Sequence, residues 1–246
     1  MNLSELVTRA RFEARQFLSP YPSIFLPLMR RRPSHDGKVI DADTEIVIEG
    51  YPRSGNTFAT AAFEMAQRRP VRIARHLHAP AQVIAGVERG VPVMVVVRRP
   101  EDAVVSEVIR HPGLTLGQAL RHYASFHQHL DGYRSGFVVA PFEQVIGDFG
   151  TVIQEVNDHF GTDFAPFDHT AKNVEEVFRR VDEMDRHDIG RRADDPAATT
   201  ARPTASREQA KEELRQRLSD PVLAPVLERA LEAFEAFTDT TESERR

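Results

Sequence analysis

Nine residues, EGYPRSGNT from Glu49 to Thr57, carry the first chemistry in the sequence. Gly50 and Gly55 have the spacing of a phosphate-binding P-loop, which expects Lys at position 56 and Ser or Thr at 57. Thr57 conforms, but position 56 is Asn, and a cation stands three places earlier as Arg53. A Gly-rich turn between a strand and a helix offers backbone N–H groups and a helix N-terminus to an anion. Asn56 lacks the point charge that grips the β- and γ-phosphates of a triphosphate. Arg53 can set a guanidinium beside a terminal phosphate or its leaving-group oxygen. The loop therefore suits a phosphate bearing a transferable group better than it suits a Mg-triphosphate. The plainer reading, a strand–turn–helix corner with Thr57 as a cap, leaves Pro52 and Arg53 without a purpose.

A second stretch, VRRPEDAVVS, spans residues 97–106. Arg98 ends an apolar run, and Ser106 lies two turns into the helix that Pro100 opens. Together they can hold a second phosphate, one by charge-assisted hydrogen bonds and one by a hydroxyl. The competing reading pairs Arg98 and Arg99 with Glu101 and Asp102 on the surface and leaves Ser106 incidental.

Taken together, the two stretches resemble the sulfotransferase family that uses 3′-phosphoadenosine-5′-phosphosulfate (PAPS). YPRSGNT is similar to that family's loop for the 5′-phosphosulfate. VRRPEDAVVS is similar to its 3′-phosphate element, an Arg-x-Pro-x-Asp run with a Ser eight residues after the Arg. The resemblance covers residues 44–161, weakens over 162–237 and does not extend to 1–40. It implies that the backbone of Ser54, Gly55, Asn56 and Thr57, with the Thr57 hydroxyl, cradles the 5′-phosphate. Arg53 then stabilises charge on the departing phosphate, where many relatives have Lys, and Arg98 and Ser106 hold the 3′-phosphate. The implied donor is PAPS, its product is adenosine 3′,5′-bisphosphate, and no metal is required. Two features depart from the family. The closing Arg-Lys-Gly run is missing, with Arg202 or Arg207 as substitutes, and no Trp is available to stack on adenine, so a Phe must serve.

Sulfuryl transfer needs an acceptor oxygen deprotonated as it attacks, and His is the side chain suited to this near neutral pH. The chain has 10 His, so coincidental placement competes with every assignment. ARHLHAPAQV, 74–83, lies where the family places a His followed by x-Pro. His78, two residues before Pro80, matches, with His76 as the runner-up. In an extended stretch the two would point the same way. His122, His127 and His129 read as a helix face, since no carboxylate or thiolate completes a metal set with them.

The elements that must position these residues alternate. The expected strands are 44–50, 90–99 and 136–140. The expected helices are 57–67, one opening at Pro100, 115–130 with a capping box of Thr115 and Gln118, 150–161 closed by Gly161, 171–184, 206–218 with a box of Ser206 and Gln209, and 221–237. Strand–helix alternation predicts right-handed crossovers and an α/β fold, three layers around a central parallel sheet with a P-loop-like strand–loop–helix. The expected organisation is a helical, Pro-rich arm over 1–40, the α/β domain over 41–238 and a polar tail over 239–246. Residues 188–205 read as a loop. In the arm, Phe17, Ile24 and Phe25 are expected to pack on the body. Its six Arg against two Glu also allow a peripheral membrane contact, which the Pro spacing argues against.

Composition sets the limits. The 246 residues suffice for one sizeable α/β domain. A net charge of -5 argues against a nucleic-acid partner. With no Cys, thiolate metal sites and Cys nucleophiles are excluded. No apolar run approaches a membrane span, and MNLSELVTRARFEARQF lacks the apolar core of a signal peptide, so a cytoplasmic location is expected. The expected function is a sulfotransferase acting on a hydroxyl or amine of a small-molecule, lipid or glycan acceptor. The alternatives are a P-loop kinase or NTPase, or a non-catalytic nucleotide-binding member of the fold. Neither the acceptor nor the oligomeric state is written in the sequence.

Overall fold

In the computed structural model, which describes residues 3–111, 113–189 and 205–243, four short strands lie parallel in one sheet. They are Ile46–Gly50 (β1), Ile73–Arg75 (β2), Val93–Val97 (β3) and Val138–Pro141 (β4), in the spatial order β2-β1-β3-β4. Every residue of β1 and β3 is buried, as inner strands of a parallel sheet require. Side-chain alternation splits their residues between two cores. Val47, Val93, Val95, Val97 and Val139 face one core; Ile46, Ile48, Met94, Val96 and Val138 face the other.

Helices cover both cores, giving the expected three layers. Pro80–Glu88 (α4), Pro100–Arg110 (α5), Leu116–Gln128 (α6) and the C-terminal helix Ala224–Ser243 pack on the first face. Asn56–Ala66 (α3), Phe149–Phe160 (α8) and Ala171–Ile189 (α9) pack on the second. Thr115 and Gln118 form the expected capping box of α6, and Gly161 ends α8 in the left-handed conformation at φ 66°.

The chain crosses from β1 to β2 on one side, then to β3 on the other. Strand order therefore reverses between β1 and β3. In open parallel sheets this reversal leaves a crevice at the carboxyl ends of the strands, where ligands bind.

Some expectations are revised. Residues 74–83, given no element in the sequence reading, contain the end of β2 and the start of α4. A short helix, Phe142–Gly147 (α7), follows β4, and the last helix runs to Ser243, beyond the expected end at 237. The arm forms two helices, Leu3–Leu18 (α1) and Pro22–Arg30 (α2). Phe25 is buried with Leu26 and Met29, but Phe17 is 72% exposed and Ile24 49%, so these two do not pack on the body. The expected loop at 188–205 and Arg202 fall almost wholly outside the described residues, as does the side chain of Ser206. No described helix is long and apolar enough to cross a membrane.

Candidate functional site

Both chemistry-bearing stretches begin at the reversal point, at the ends of β1 and β3. Gly50 pairs with Val96, and a Cβ on Gly50 would lie 2.2 Å from Val96 O, so only glycine lets the loop leave the sheet this close to β3. The loop then turns back at Gly55, whose φ of 100° places it as the N-cap of α3. No side chain caps that helix, so its N-terminus is left to an anion. Ser54 is fully buried, with an Oγ that has no partner among the described residues, and Thr57 is half-buried at the first turn. Asn56 points inward: its Nδ2 donates to Tyr51 O at 2.9 Å and Gly50 O at 3.4 Å. Where a Walker loop has its Lys, this loop has an internal clamp.

Arg53, His76 and His78 are the non-glycine residues with positive φ among the described residues, at 66°, 59° and 49°. Each such residue costs roughly 1–3 kcal/mol, and this strain collects at functional sites. The two His are therefore not in an extended stretch, and simple alternation does not describe them. Arg53 reaches across to α5, where its Nε donates to Ser106 Oγ at 3.0 Å. Arg98 turns inward; its Nη1 donates to Arg53 O at 3.2 Å, and its guanidinium covers the Phe142 ring at 3.9 Å. Tyr123 Oη donates to Arg98 O at 2.5 Å, fixing the end of β3. Arg99 behaves as the surface reading expected, pairing with Glu101 at 3.1 Å. Arg53, Arg98 and Ser106 are thus in direct contact, although Ser106 faces Arg53 rather than Arg98.

Glu49 holds the His turn. It is fully buried, and its carboxylate accepts from Leu77 N (2.7 Å), His78 N (2.9 Å), Gln82 Nε2 (2.9 Å) and Gly50 N (3.4 Å). Burial pushes its pKa up to about 7, and these donors oppose the rise. The His78 ring lies on Gly50, with Nδ1 3.0 Å from Gly50 O. A carbonyl can only accept, so Nδ1 carries the proton and Nε2 the lone pair. Burial lowers the His78 pKa to about 4, with Arg15, Arg53 and Arg110 adding to the fall and the bond to Gly50 O opposing it. His78 is therefore neutral at pH 7, and its side chain is 27% exposed. His76 has its pKa driven well down by burial and then by His78 and Arg75, and its Nε2 is buried without a partner among the described residues.

No family model matches the chain, and no curated protein does. Among solved structures, the chain is similar to the crystal structure of mouse sulfotransferase SULT7A1 complexed with PAP. It aligns with a TM-score of 0.44 and 15% identity, over 79% of this chain and 92% of that one.

Four further neighbours of the site carry only weak signals in the sequence. Glu49 is visible as a charged residue in an otherwise apolar strand. Phe142 opens a helix too short to show a period. Arg15, on α1, donates from Nη2 to Leu77 O at 2.5 Å, beside His78. Glu107, buried next to Ser106, has its pKa raised to about 7 by burial, a rise that Arg53, Arg110 and Arg15 oppose. Arg207 has its backbone in the helix Ala205–Leu218, with its side chain outside the described residues. That helix is tied to α5 by Arg215 and Asp102 at 2.7 Å.

Proposed function

We propose that the chain transfers a sulfuryl group from PAPS to a hydroxyl or amine of a small-molecule, lipid or glycan acceptor. One observation carries this reading. At the point where strand order reverses, an uncapped helix N-terminus, the Arg53–Ser106–Arg98 cluster and the neutral His78 converge, and the non-glycine backbone strain of the described chain falls on the same few residues.

The groups present fit a bisphosphate nucleotide. Ser54 offers a buried hydroxyl with no other partner among the described residues, and α3 offers its first-turn amides. Arg98 is fixed by Tyr123 and Phe142, and Ser106 supplies a hydroxyl beside Arg53. Ser54 to Thr57 are assigned to the 5′-phosphate, and Arg98 and Ser106 to the 3′-phosphate. Arg207 is assigned to close over the 3′-phosphate from its helix. Bound PAPS supplies the sulfuryl group and a phosphate leaving group. Arg53 neutralises charge that builds up during transfer, an electrostatic role that counts most where water is excluded. His78 Nε2 takes the proton of the acceptor hydroxyl, while its Nδ1–H stays on Gly50 O. Glu49 positions the turn that carries His78. His76 is the second choice as base. The inward Asn56 clamp disfavours the kinase alternative, because no cation stands where a triphosphate needs one.

The test is an acceptor screen with PAPS as donor, read by the mass gain of one sulfuryl group. Transfer from PAPS with Mg-ATP inert is expected. Phosphoryl transfer from Mg-ATP with PAPS inert would overturn the reading.

A further inference from the structure

The arm contributes a second cavity, between α1 and α2, with a volume of about 610 Å³. That volume suits a small organic ligand. Phe12, Leu18 and Met29 form an apolar wall, and Arg11, Arg15 and Arg32 line the same space. Among the described residues, none of the three Arg has a carboxylate within ion-pair distance. Arg15 instead bonds to Leu77 O and lies over the Phe25 ring at 5.4 Å. Burial lowers its pKa, with the charge of Arg32 as the next cause. His35 stands near the same group: its Nδ1 is buried without a partner among the described residues, and burial, then Arg15, Lys38 and Arg32, lower its pKa to about 4. Of the three, Arg15 is partly buried; Glu49 and Glu107 oppose the fall in its pKa through space, and an anion that accepts its N–H groups relieves the remaining cost of burial.

The cavity shares a wall with the site described above. Arg15 touches Leu77, the residue before His78. The Phe12 ring meets His122 edge-on at 5.6 Å, and His122 lies 4.9 Å from Tyr51 of the phosphate loop. A molecule seated between α1 and α2 is thus separated from the His78 turn by single side chains.

We propose that this cavity is a second ligand site, beside the nucleotide crevice and walled off from it, for a molecule whose apolar body ends in an anionic group. The anion is gripped by Arg11, Arg15 and Arg32, and the body lies along Phe12, Leu18 and Met29. The site does not depend on the sulfotransferase reading, and its binding is tested separately from it.

The probe is ω-hydroxydecanoate at monomeric concentrations, titrated calorimetrically into the full chain, with α,ω-decanediol and inorganic phosphate as controls. The acid should bind at least roughly tenfold more tightly than either control, because only it satisfies both the cations and the apolar wall. In the doubly substituted chain Arg11→Gln/Arg32→Gln, its affinity should fall roughly tenfold or more. Both positions are exposed, so the fold should tolerate the change. Binding of adenosine 3′,5′-bisphosphate, measured on the same two proteins, should not change. If neither protein binds that nucleotide, the functional reading fails while the cavity result stands. Equal affinity for acid and diol, or no loss in the double variant, would overturn the proposal. So would sedimentation with phosphatidylglycerol vesicles without binding of the monomeric acid, since that outcome makes the Arg face a membrane contact.

Discussion

Arg53, His76 and His78 each hold a backbone conformation that a side chain disfavours; Arg53 follows the carboxyl end of β1 and the two His follow that of β2. A test of the base must therefore preserve the turn. Asn tolerates left-handed backbone and can donate from its amide, but it cannot act as a base. His78→Asn is expected to fold as the wild type does and to lose roughly 10²–10⁴ in turnover, the usual worth of general-base catalysis. His76→Asn should stay within a few-fold of wild type. The reverse ranking in steady-state assays would transfer the role to His76. With a pKa of about 4, His78 should give kcat/KM an acid limb near that pH rather than near 6.5. The two Arg should act as a pair, because Arg98 donates to the carbonyl of Arg53. Arg98→Ala is expected to weaken nucleotide binding, and Arg53→Ala to lower kcat more than affinity. Their double mutant should depart from additivity by roughly 0.5–3 kcal/mol. Additive losses would mean that the two guanidinium groups work independently. The residue types of this cluster are legible in EGYPRSGNT and VRRPEDAVVS, because loop and helix-start chemistry is written locally. The contact between Arg53 and Ser106 is not, since 53 positions separate them and only the β1–β3 pairing brings them together.

The elements read most easily are those with a clean period or a long buried run. β3 is apolar from end to end, and α6 announces itself with Thr115 and Gln118. The missed elements lack such signals. β2 has three residues, too few for alternation to show. From Pro80 to Gly86 every residue of α4 is buried, so that helix has no polar face to mark its period. The structural purpose of the His turn is also hidden, because it depends on Glu49 of β1 meeting the amides of residues 77 and 78. Glu49→Gln tests that link. Gln keeps one acceptor oxygen but sets an NH₂ group against N–H donors, which should cost roughly 1–3 kcal/mol for the unmet groups. A lower melting temperature and a reduced kcat are expected, with nucleotide affinity largely retained because Glu49 reaches the phosphate loop only through its long 3.4 Å contact with Gly50 N. Unchanged kcat would mean that the turn does not need the carboxylate.

The whole molecule responds to pH through its buried imidazoles. His35, His76, His78, His122 and His127 all have lowered pKa values, with burial as the first cause in each. The unfolded chain takes up these protons near pH 6.5, whereas the folded chain resists doing so until about pH 4 or below. Their contribution to stability is thus present above 6.5 and is lost as pH falls through this window. Glu49 and Glu107 act the other way: their raised values let the fold bind protons from about pH 7, before the unfolded chain does near 4.5. Five groups oppose two, so melting temperature is expected to fall between pH 6.5 and 4.5; a rise would mean that the carboxyls dominate. The layer order of the fold is legible from strand–helix alternation. The cavity between α1 and α2 is not, because its Arg residues are separated by two helices and a turn.

The central claim is that the crevice between β1 and β3 takes a nucleotide bearing both a 5′- and a 3′-phosphate. Calorimetric titration of the wild-type chain with adenosine 3′,5′-bisphosphate and with adenosine 5′-monophosphate tests it most directly. Tight binding of the bisphosphate is expected, at least roughly tenfold tighter than that of the monophosphate, since the second phosphate adds charge-assisted bonds to Arg98 and Ser106. Equal affinities, or no binding of either nucleotide, would contradict it.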